Sequence, residues 1–251
     1  MRFPGIILAA GRQTRFQEDL PKCLLQYDDD LTILEKNIDV LSRYCDGVCV
    51  VVNKNINNDE LISVAHLGFN RVHIIKIESG LGTGHAVYET LKQIQNNEYK
   101  QTVVLTWADS IQDQTSVIDA TINNYNGKCT VPLKFEDKCY MKFLTSSITN
   151  NIIKVYRPQG GLHLQFGLHD FSLFRFDMAY IYVLLDLYHE KYFNGFDYNT
   201  KSRDMNFIDL FNEFGLSNFA NAVIIDDPKI SSINAFNTIE EYDEIIKRRS
   251  K

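Results

Sequence analysis

FPGIILAAGRQTRFQEDLPKCLL, from Phe3 to Leu25, begins with an apolar run, Ile6 to Leu8, that stops at Ala9, Ala10 and Gly11. Arg12, Arg15 and then a proline followed at once by Lys22 come next. A buried strand of this kind delivers the backbone to the carboxyl edge of a sheet, where residues without bulk let phosphates or a base approach main-chain N–H groups. Arg12, Arg15 and Lys22 then place positive charge around the same spot, which reads as a site for a nucleoside triphosphate. A turn glycine followed by solvated basic residues would give the same letters, so the rest of the chain has to decide. No GxxxxGK[ST] follows the strand, and one glycine before Lys22 does not make a GxGxxG fingerprint.

The bulk composition narrows the classes. At 251 residues the chain is long enough for one large domain with a buried core. Hydrophobic residues make up 45%, charged residues 23%, and the formal net charge is -6. That balance is ordinary for a globular protein and lacks the dominant basic face that nucleic-acid binding needs. Five cysteines (Cys23, Cys45, Cys49, Cys129, Cys139) form no CxxC pair, which predicts buried free thiols in a reducing compartment. No run of about 18 apolar residues occurs, and no export signal opens the sequence, so a cytoplasmic location without a membrane span is expected.

Patterns of period 2 and 3.6 alternate along the first half. After Lys22 a short strand, a turn and a helix are predicted. Thr32 and Glu35 have capping-box spacing, and Leu34, Ile38 and Leu41 share one helical face. The acidic run Asp28 to Asp30 reads as a solvated turn between those elements. Strands are predicted at Val48–Val52, Val72–Ile77 and Thr102–Thr106, with helices at Glu60–Leu67, His85–Gln95 and Thr115–Tyr125. This alternation predicts an α/β fold of βαβ units with a mostly parallel sheet, whose ligands sit outside the carboxyl ends of the strands. AAGR, GLGTG and WADS all fall at such ends.

The second half alternates less cleanly. Strands are expected at Lys128–Pro132, Tyr140–Leu144, Ile152–Tyr156 and Ala222–Ile225. RPQGGLHLQFG reads as a loop, Phe174–Tyr188 and Phe207–Phe214 as helices, and Thr238 with Glu241 as a capping box for a last helix. Without repeats or a linker, one domain over 1–251 is the economical reading, with a nucleotide-binding half (1–125) and an acceptor-binding half (126–251) that completes a metal site.

In their order along the chain these segments resemble the nucleotidyltransferases of the GT-A-like fold, the MobA-like and sugar-phosphate enzymes. Leu8–Gly11, Arg15 and Pro21-Lys22 are similar to the family's LAAG, R and PK signature. Leu81–Ala86, LGTGHA, resembles the corresponding segment of N-acetylglucosamine-1-phosphate uridylyltransferases. Asp109 stands where the family has its magnesium-binding aspartate, and AFNTIEEY at Ala235–Tyr242 resembles the motif whose Asn or Asp completes that site. RPQGG at Arg157–Gly161 is similar to a loop of methylerythritol phosphate cytidylyltransferases, and the chain has the size of small capsule-pathway cytidylyltransferases. The resemblance implies a three-layer α/β/α Rossmann-like fold with a mixed sheet.

It also implies the chemistry. A phosphate oxygen of the acceptor attacks the α-phosphorus of a nucleotide in line, pyrophosphate leaves, and catalysis is positioning and electrostatic stabilisation. By resemblance Lys22 and Arg15 are catalytic. Leu8, Ala9, Ala10, Gly11, Arg12, Gly82, Thr83 and Asp109 bind the nucleotide, with Gly82 and Thr83 reading the base. Asp109 and Asn237 hold Mg2+, with Asn234 the weaker candidate. Arg157 and Gln159 are acceptor-binding candidates, Arg157 pointing to an anionic acceptor or being a surface residue. His85, His163 and His169 lack metal spacing and are read as packing residues, as is Trp107. The expectation is a Mg2+-dependent enzyme, CTP favoured, acting on a small phosphorylated acceptor (phosphocholine, phosphoglutamine, a polyol or sugar phosphate) in surface-glycan synthesis. A uridylyl- or thymidylyltransferase and an idle nucleotide binder are the alternatives, and homo-oligomerisation stays open.

Overall fold

The computed structural model describes residues 3–11, 21–54, 59–66, 71–78, 80–94, 102–125, 128–157, 164–213 and 219–249. The first half forms β1 (Gly5–Leu8), α1 (Ile33–Ser42), β2 (Val48–Asn53), α2 (Asp59–His66), β3 (Val72–Ile77), α3 (Thr83–Ile94), β4 (Thr102–Trp107) and α4 (Thr115–Asn123). The second half contributes β5 (Cys129–Cys139), β6 (Lys142–Thr145), β7 (Ile152–Tyr156), β8 (Leu164–Asp170) and β9 (Leu173–Asp177). Then follow α5 (Met178–Tyr192), α6 (Asp209–Glu213), β10 (Ala220–Ile224) and α7 (Ile239–Arg249).

Among the described residues one mixed sheet runs through both halves in the order β3-β2-β1-β4-β9-β5-β8-β6-β7, with β10 also paired to β5. It is parallel through β3-β2-β1-β4, where Gly5 stands opposite Val48 on one side and Val104 on the other. From β9 onward the pairing is antiparallel apart from β10 on β5. The chain passes from β1 to β2 on one side and reaches β4 on the other, so the crevice between β1 and β4 is the switch point where open α/β sheets bind ligands.

Alternation along the strands sets the layers. Ile6 and Leu8 join Val87, Leu91 and Ile94 of α3 and Leu185 of α5 in one core. Ile7 joins Leu34, Ile38 and Leu41 of α1 and Val117 of α4 in the other. Because these strands are buried on both faces they read as continuous apolar runs. The predicted box at α1 is formed: the Glu35 N–H donates to Thr32 Oγ1, and Glu35 Oε2 accepts the Thr32 N–H at 2.7 Å. Asp28 Oδ1 accepts N–H bonds from Asp30 and Leu31, which makes the acidic run the expected exposed turn. All five cysteines are buried and free. No helix among the described residues is long and apolar enough to cross a membrane.

Three expectations need correction. The helix expected from Phe174 begins at Met178, because Leu173–Asp177 is β9, laid antiparallel along the free edge of β4. Its alternating aromatics, Phe174 and Phe176, are buried, and Asp177 ends the strand by capping α5 through the Tyr180 N–H. Leu164–Gly167, read as loop, opens β8 and pairs with a β5 extended to Cys139. The short strand expected after Lys22 is a single 3-10 turn, Lys22–Leu24, followed by an isolated bridge between Gln26 and Thr32.

The last helix closes the molecule. Ile245 and Phe236 pack with Ile33 and Ile111 in a small third core. Beside it Arg249 forms an ion pair with Asp113, the two side chains 13% and 12% exposed, and Asp113 also accepts the Tyr27 hydroxyl. Burial and the Asp113 carboxylate push the Tyr27 hydroxyl up to about 12, so it stays a donor. Removing one partner of a pair this buried leaves the other charge desolvated. Asp113→Ala should therefore lower the unfolding free energy in urea by about 3 kcal/mol, and an apolar pair, Asp113→Leu with Arg249→Met, should recover most of the loss.

Candidate active site

Three strand ends, far apart in sequence, meet in one cleft of about 560 Å3 at the β1/β4 switch point. Leu8–Gly11 at the end of β1 form one wall, Trp107–Asp109 at the end of β4 the next, and Gly80, Gly82 and Thr83 at the start of α3 the third. Asp204 completes the lining from the segment between α5 and α6. The carboxyl ends of β1 and β4 are held in register by backbone bonds: the Ala9 N–H donates to Val51 and the Ala108 N–H to Leu8.

Lys22 is buried at the cleft edge. Its ammonium donates to the Phe236 carbonyl at 2.6 Å and lies 3.6 Å from Asp109 Oδ2. The Lys22 side chain is 6% exposed, whereas that of Asp109 is 40% exposed and faces the cleft. A buried ammonium has to be paired, so this lysine ties the first loop to β4 and to the carboxyl-terminal strap before α7. The strap is fixed independently: Ser110 bridges Ala235, the Ile111 N–H donates to Asn234, and Glu136 Oε1 accepts the Ser232 N–H at 2.8 Å.

Asn237 follows Phe236 directly, and its N–H donates to Glu241 Oε2 at 2.6 Å, the carboxylate that also serves the Thr238 box. Asn234 is 2% exposed and its amide donates to the Phe171 carbonyl, which commits that side chain to the interior. Asp109 and Asn237 are hard oxygen donors on two segments joined through Lys22 and Phe236, the donor type Mg2+ takes when substrate phosphates and water fill its remaining positions. No cluster of three His, Cys, Asp or Glu residues suited to a metal occurs among the described residues. Cys23 lines the cleft, but burial and the Asp109 charge push its thiol up to about 12, so it offers no thiolate nucleophile.

The glycine loop is occupied by packing. Gly82 has φ +98°, and a Cβ there would lie 2.2 Å from the Met205 carbonyl oxygen. At Gly84 a Cβ would lie 2.8 Å from the Met205 side chain. That carbonyl accepts the N–H groups of Gly84 and His85 at the start of α3, Met205 donates to Leu81, and the Phe207 N–H donates to Thr83 Oγ1. The glycines that spell LGTGHA are thus the docking surface for Asp204–Phe207. Gly11 differs, since a Cβ there would meet nothing within 4 Å.

Behind this wall the Tyr198 hydroxyl lies 2.9 Å from Nδ1 of His85 and 2.8 Å from Nδ1 of His189. With one proton, it donates to one ring and accepts from the other. Burial lowers both imidazole pKa values, with Glu89 opposing in each case and Lys92 reinforcing. His169 is buried against Ser232. The two histidines at described positions that the sequence assigned to packing are therefore hydrogen-bonded interior groups.

The structure brings together Leu8, Ala9, Ala10, Gly11, Gly82, Thr83 and Asp109 in the cleft lining, with Lys22 against Asp109. Arg157 is exposed outside that lining, and its charge lowers the pKa of Asp209, which burial raises. Arg12, Arg15, Gln159 and His163 lie outside the described residues. Among the lining residues that the sequence reading did not assign to the site, Asp204 and Trp107 carry the largest polar and aromatic groups. Asp204 stands in an irregular segment without a motif, and only the need of Gly82 and Gly84 for a close neighbour hinted at it. Trp107, read as core, packs on Phe174 and Phe207 yet also faces the cleft.

Residues 5–162, more than half of the chain, match the family model described as the MobA-like NTP transferase domain. The match ends before Asp204 and the strap at 234–237. No curated protein matches the chain.

Two glycines with different duties should separate by substitution. Gly82→Ala combines a left-handed φ with a backbone clash and should cost at least about 3 kcal/mol in urea unfolding. Gly11→Ala should stay within about 0.5 kcal/mol of the parent while weakening nucleotide binding about tenfold, read by the fluorescence of Trp107, the chain's one tryptophan. The histidine pair predicts a pH effect. Its folded pKa values lie below the unfolded value of about 6.5, so the unfolded chain binds more protons in that interval. Its contribution to stability therefore falls as pH drops below about 7, and His189→Gln should flatten the urea midpoint against pH between about 5 and 7.

Proposed function

The chain belongs to the MobA-like NTP transferase family, and from that premise we propose that it is a Mg2+-dependent cytidylyltransferase that joins CMP from CTP to a small phosphorylated acceptor, releasing pyrophosphate. The observation that carries this reading is the convergence of the β1, α3 and β4 segments on one cleft, with Lys22 and Asp109 paired at its edge. Nucleotidyl transfer needs that combination because two anions must approach. A phosphate oxygen of the acceptor forms a bond to the α-phosphorus while the bond to the bridging oxygen of the β-phosphate breaks. The acceptor is already ionised, so no side-chain nucleophile is required, in keeping with the protonated Cys23.

Leu8–Gly11 give the nucleotide a wall of backbone and small side chains. Lys22 supplies a charge held in place before substrate arrives, worth most in a partly desolvated site. Arg15 is assigned the phosphates by its place in the signature. Asp109 and Asn237 would hold Mg2+, which when bound withdraws charge from the phosphate oxygens. The preference for CTP rests on the resemblance of RPQGG and on chain size. The uridylyltransferase alternative leaned on LGTGHA, which here has a packing explanation through Met205. Surface-glycan synthesis is the pathway class that the resemblance suggests.

A pyrophosphate-release screen of CTP, UTP, dTTP, ATP and GTP against phosphorylated acceptors tests the reading, and release with none of them favours a nucleotide binder. Lys22→Ala should lower kcat about 100- to 1000-fold. Since Lys22 also anchors the strap, circular dichroism and Trp107 fluorescence should show the fold and nucleotide binding retained. Asp109→Ala should abolish the response of activity to Mg2+, and an unaltered metal titration would place the metal elsewhere.

A further inference from the structure

The peptide group between Phe236 and Asn237 is held at both ends by charge. Its carbonyl accepts the Lys22 ammonium at 2.6 Å, and its N–H donates to Glu241 Oε2 at 2.6 Å. No cis peptide bond occurs among the described residues, and in a trans peptide the C=O and N–H point to opposite sides within one plane. Lys22 and Glu241 therefore grip a single rigid group from opposite sides, the first at the edge of the cleft and the second behind the strap. The peptide dipole lies with its positive end on the carboxylate and its negative end on the ammonium, so each bond polarises the amide in the sense that strengthens the other.

Glu241 is itself fixed from two directions. Tyr140, in the turn between β5 and β6, donates its hydroxyl to Oε1 at 2.6 Å, which leaves Oε2 to the strap and the helix cap. The Glu241 N–H donates to Thr238 Oγ1 at the start of α7, and Ile245, one turn on, packs with Phe236, Ile33 and Ile111. Glu241 and Tyr140 line a cavity of about 220 Å3 behind the strap, whose lining shares no residue with that of the cleft. The carboxylate therefore acts on the cleft at one remove, through the peptide group it holds.

We infer that Glu241 is a positioning residue for the transfer: it orients the 236–237 peptide so that the Phe236 carbonyl holds the Lys22 ammonium at the cleft edge, and Tyr140 sets the carboxylate. The inference rests on the role proposed for Lys22 and deepens it. Without the carboxylate the peptide turns about its flanking φ and ψ bonds, the carbonyl leaves Lys22, and a buried ammonium loses a partner. Asp109 at 3.6 Å and the Phe236 ring, 5.4 Å from the ammonium, are the looser contacts that remain. Because Lys22 is assigned to charge that develops during the transfer, loss of Glu241 belongs in kcat rather than in the KM for CTP.

The test uses the full chain and two readouts. The first needs no turnover: acylation of Lys22 by acetic anhydride without substrates, located by peptide mass. At 5% exposure Lys22 should be protected in the parent. Glu241→Ala should speed its acylation about tenfold, and Glu241→Gln, whose amide oxygen still accepts the Asn237 N–H, should restore most of the protection. Thr238→Ala removes the helix cap but keeps that bond, so it should lower the urea midpoint and leave Lys22 protected. Where Glu241→Ala does not fold, Tyr140→Phe takes its place and should speed acylation about threefold. The second readout is pyrophosphate release with CTP and Mg2+. Glu241→Ala should lower kcat about tenfold at an unchanged KM for CTP, and should cost nothing further in a Lys22→Ala background. Equal exposure of Lys22 in Thr238→Ala and Glu241→Ala reduces Glu241 to a helix cap and overturns the inference, as do additive losses of kcat in the double variant. If no acceptor releases pyrophosphate, the transferase reading fails and acylation alone decides. Protection lost in Glu241→Ala and kept in Glu241→Gln then upholds the positioning of Lys22, and protection kept in both overturns it.

Discussion

A buried ammonium must find partners, and Lys22 finds them in segments that the chain brings together only on folding. The Phe236 carbonyl lies 214 residues away in sequence and Asp109 sits at the end of β4. Leaving that charge unpaired at 5% exposure would cost several kcal/mol, so the loop after β1, the end of β4 and the carboxyl-terminal strap have to arrive together. The same pairing sets the electrostatics of the cleft. In the proposed transfer a positive charge fixed in advance would need no reorganisation, and the carboxylate next to it is 40% exposed and faces the cleft.

A second set of contacts fixes the opposite wall through backbone alone. The Met205 carbonyl caps the start of α3, and the lack of a Cβ at Gly82 and Gly84 lets it approach. The N-terminus of α3 therefore does not offer the N–H groups of Gly84 and His85 to a phosphate, although helix starts at strand ends often do so. The chain uses that site to lock Asp204–Phe207 beside Trp107. Beneath the cleft a buried polar network does similar work. Asn37 bonds Ser110 and Gln112, Gln112 reaches Thr106 and Phe171, and Asn234 reaches Phe171 as well. Such a network joins α1, β4, the turn between β8 and β9, and the strap in one arrangement.

The two halves of the sheet explain why one half of the chain was easier to read. Strands β1 to β4 are parallel and buried on both faces, so each appears as an apolar run, and each crossover helix shows its own 3.6-residue period. In the antiparallel half, β8 has exposed Gln165 and Phe166 in its first turns of pleat, and its polar letters resemble loop. β9 and α5 run on without a break in hydrophobicity, and Asp177 alone marks the change from strand to helix through its cap.

By itself the sequence determined the alternation of strand and helix through residue 125, the capping boxes at Thr32 and Thr238, the buried thiols, and the family, because these depend on local periodicity and on the order of short motifs. The same motifs singled out Gly11, Lys22 and Asp109, which the fold gathers at one cleft. The tertiary structure decided what pairing across long separations decides: that Lys22 is buried against Phe236, that Asn234 turns inward, and that the glycines of LGTGHA serve Met205. It also decided that Arg157 stands outside the cleft lining while Asp204 and Trp107 stand within it. A side chain's neighbours across the sheet are set by strand order and by close backbone contacts, and neither leaves a period or a motif in the sequence of the residue it positions.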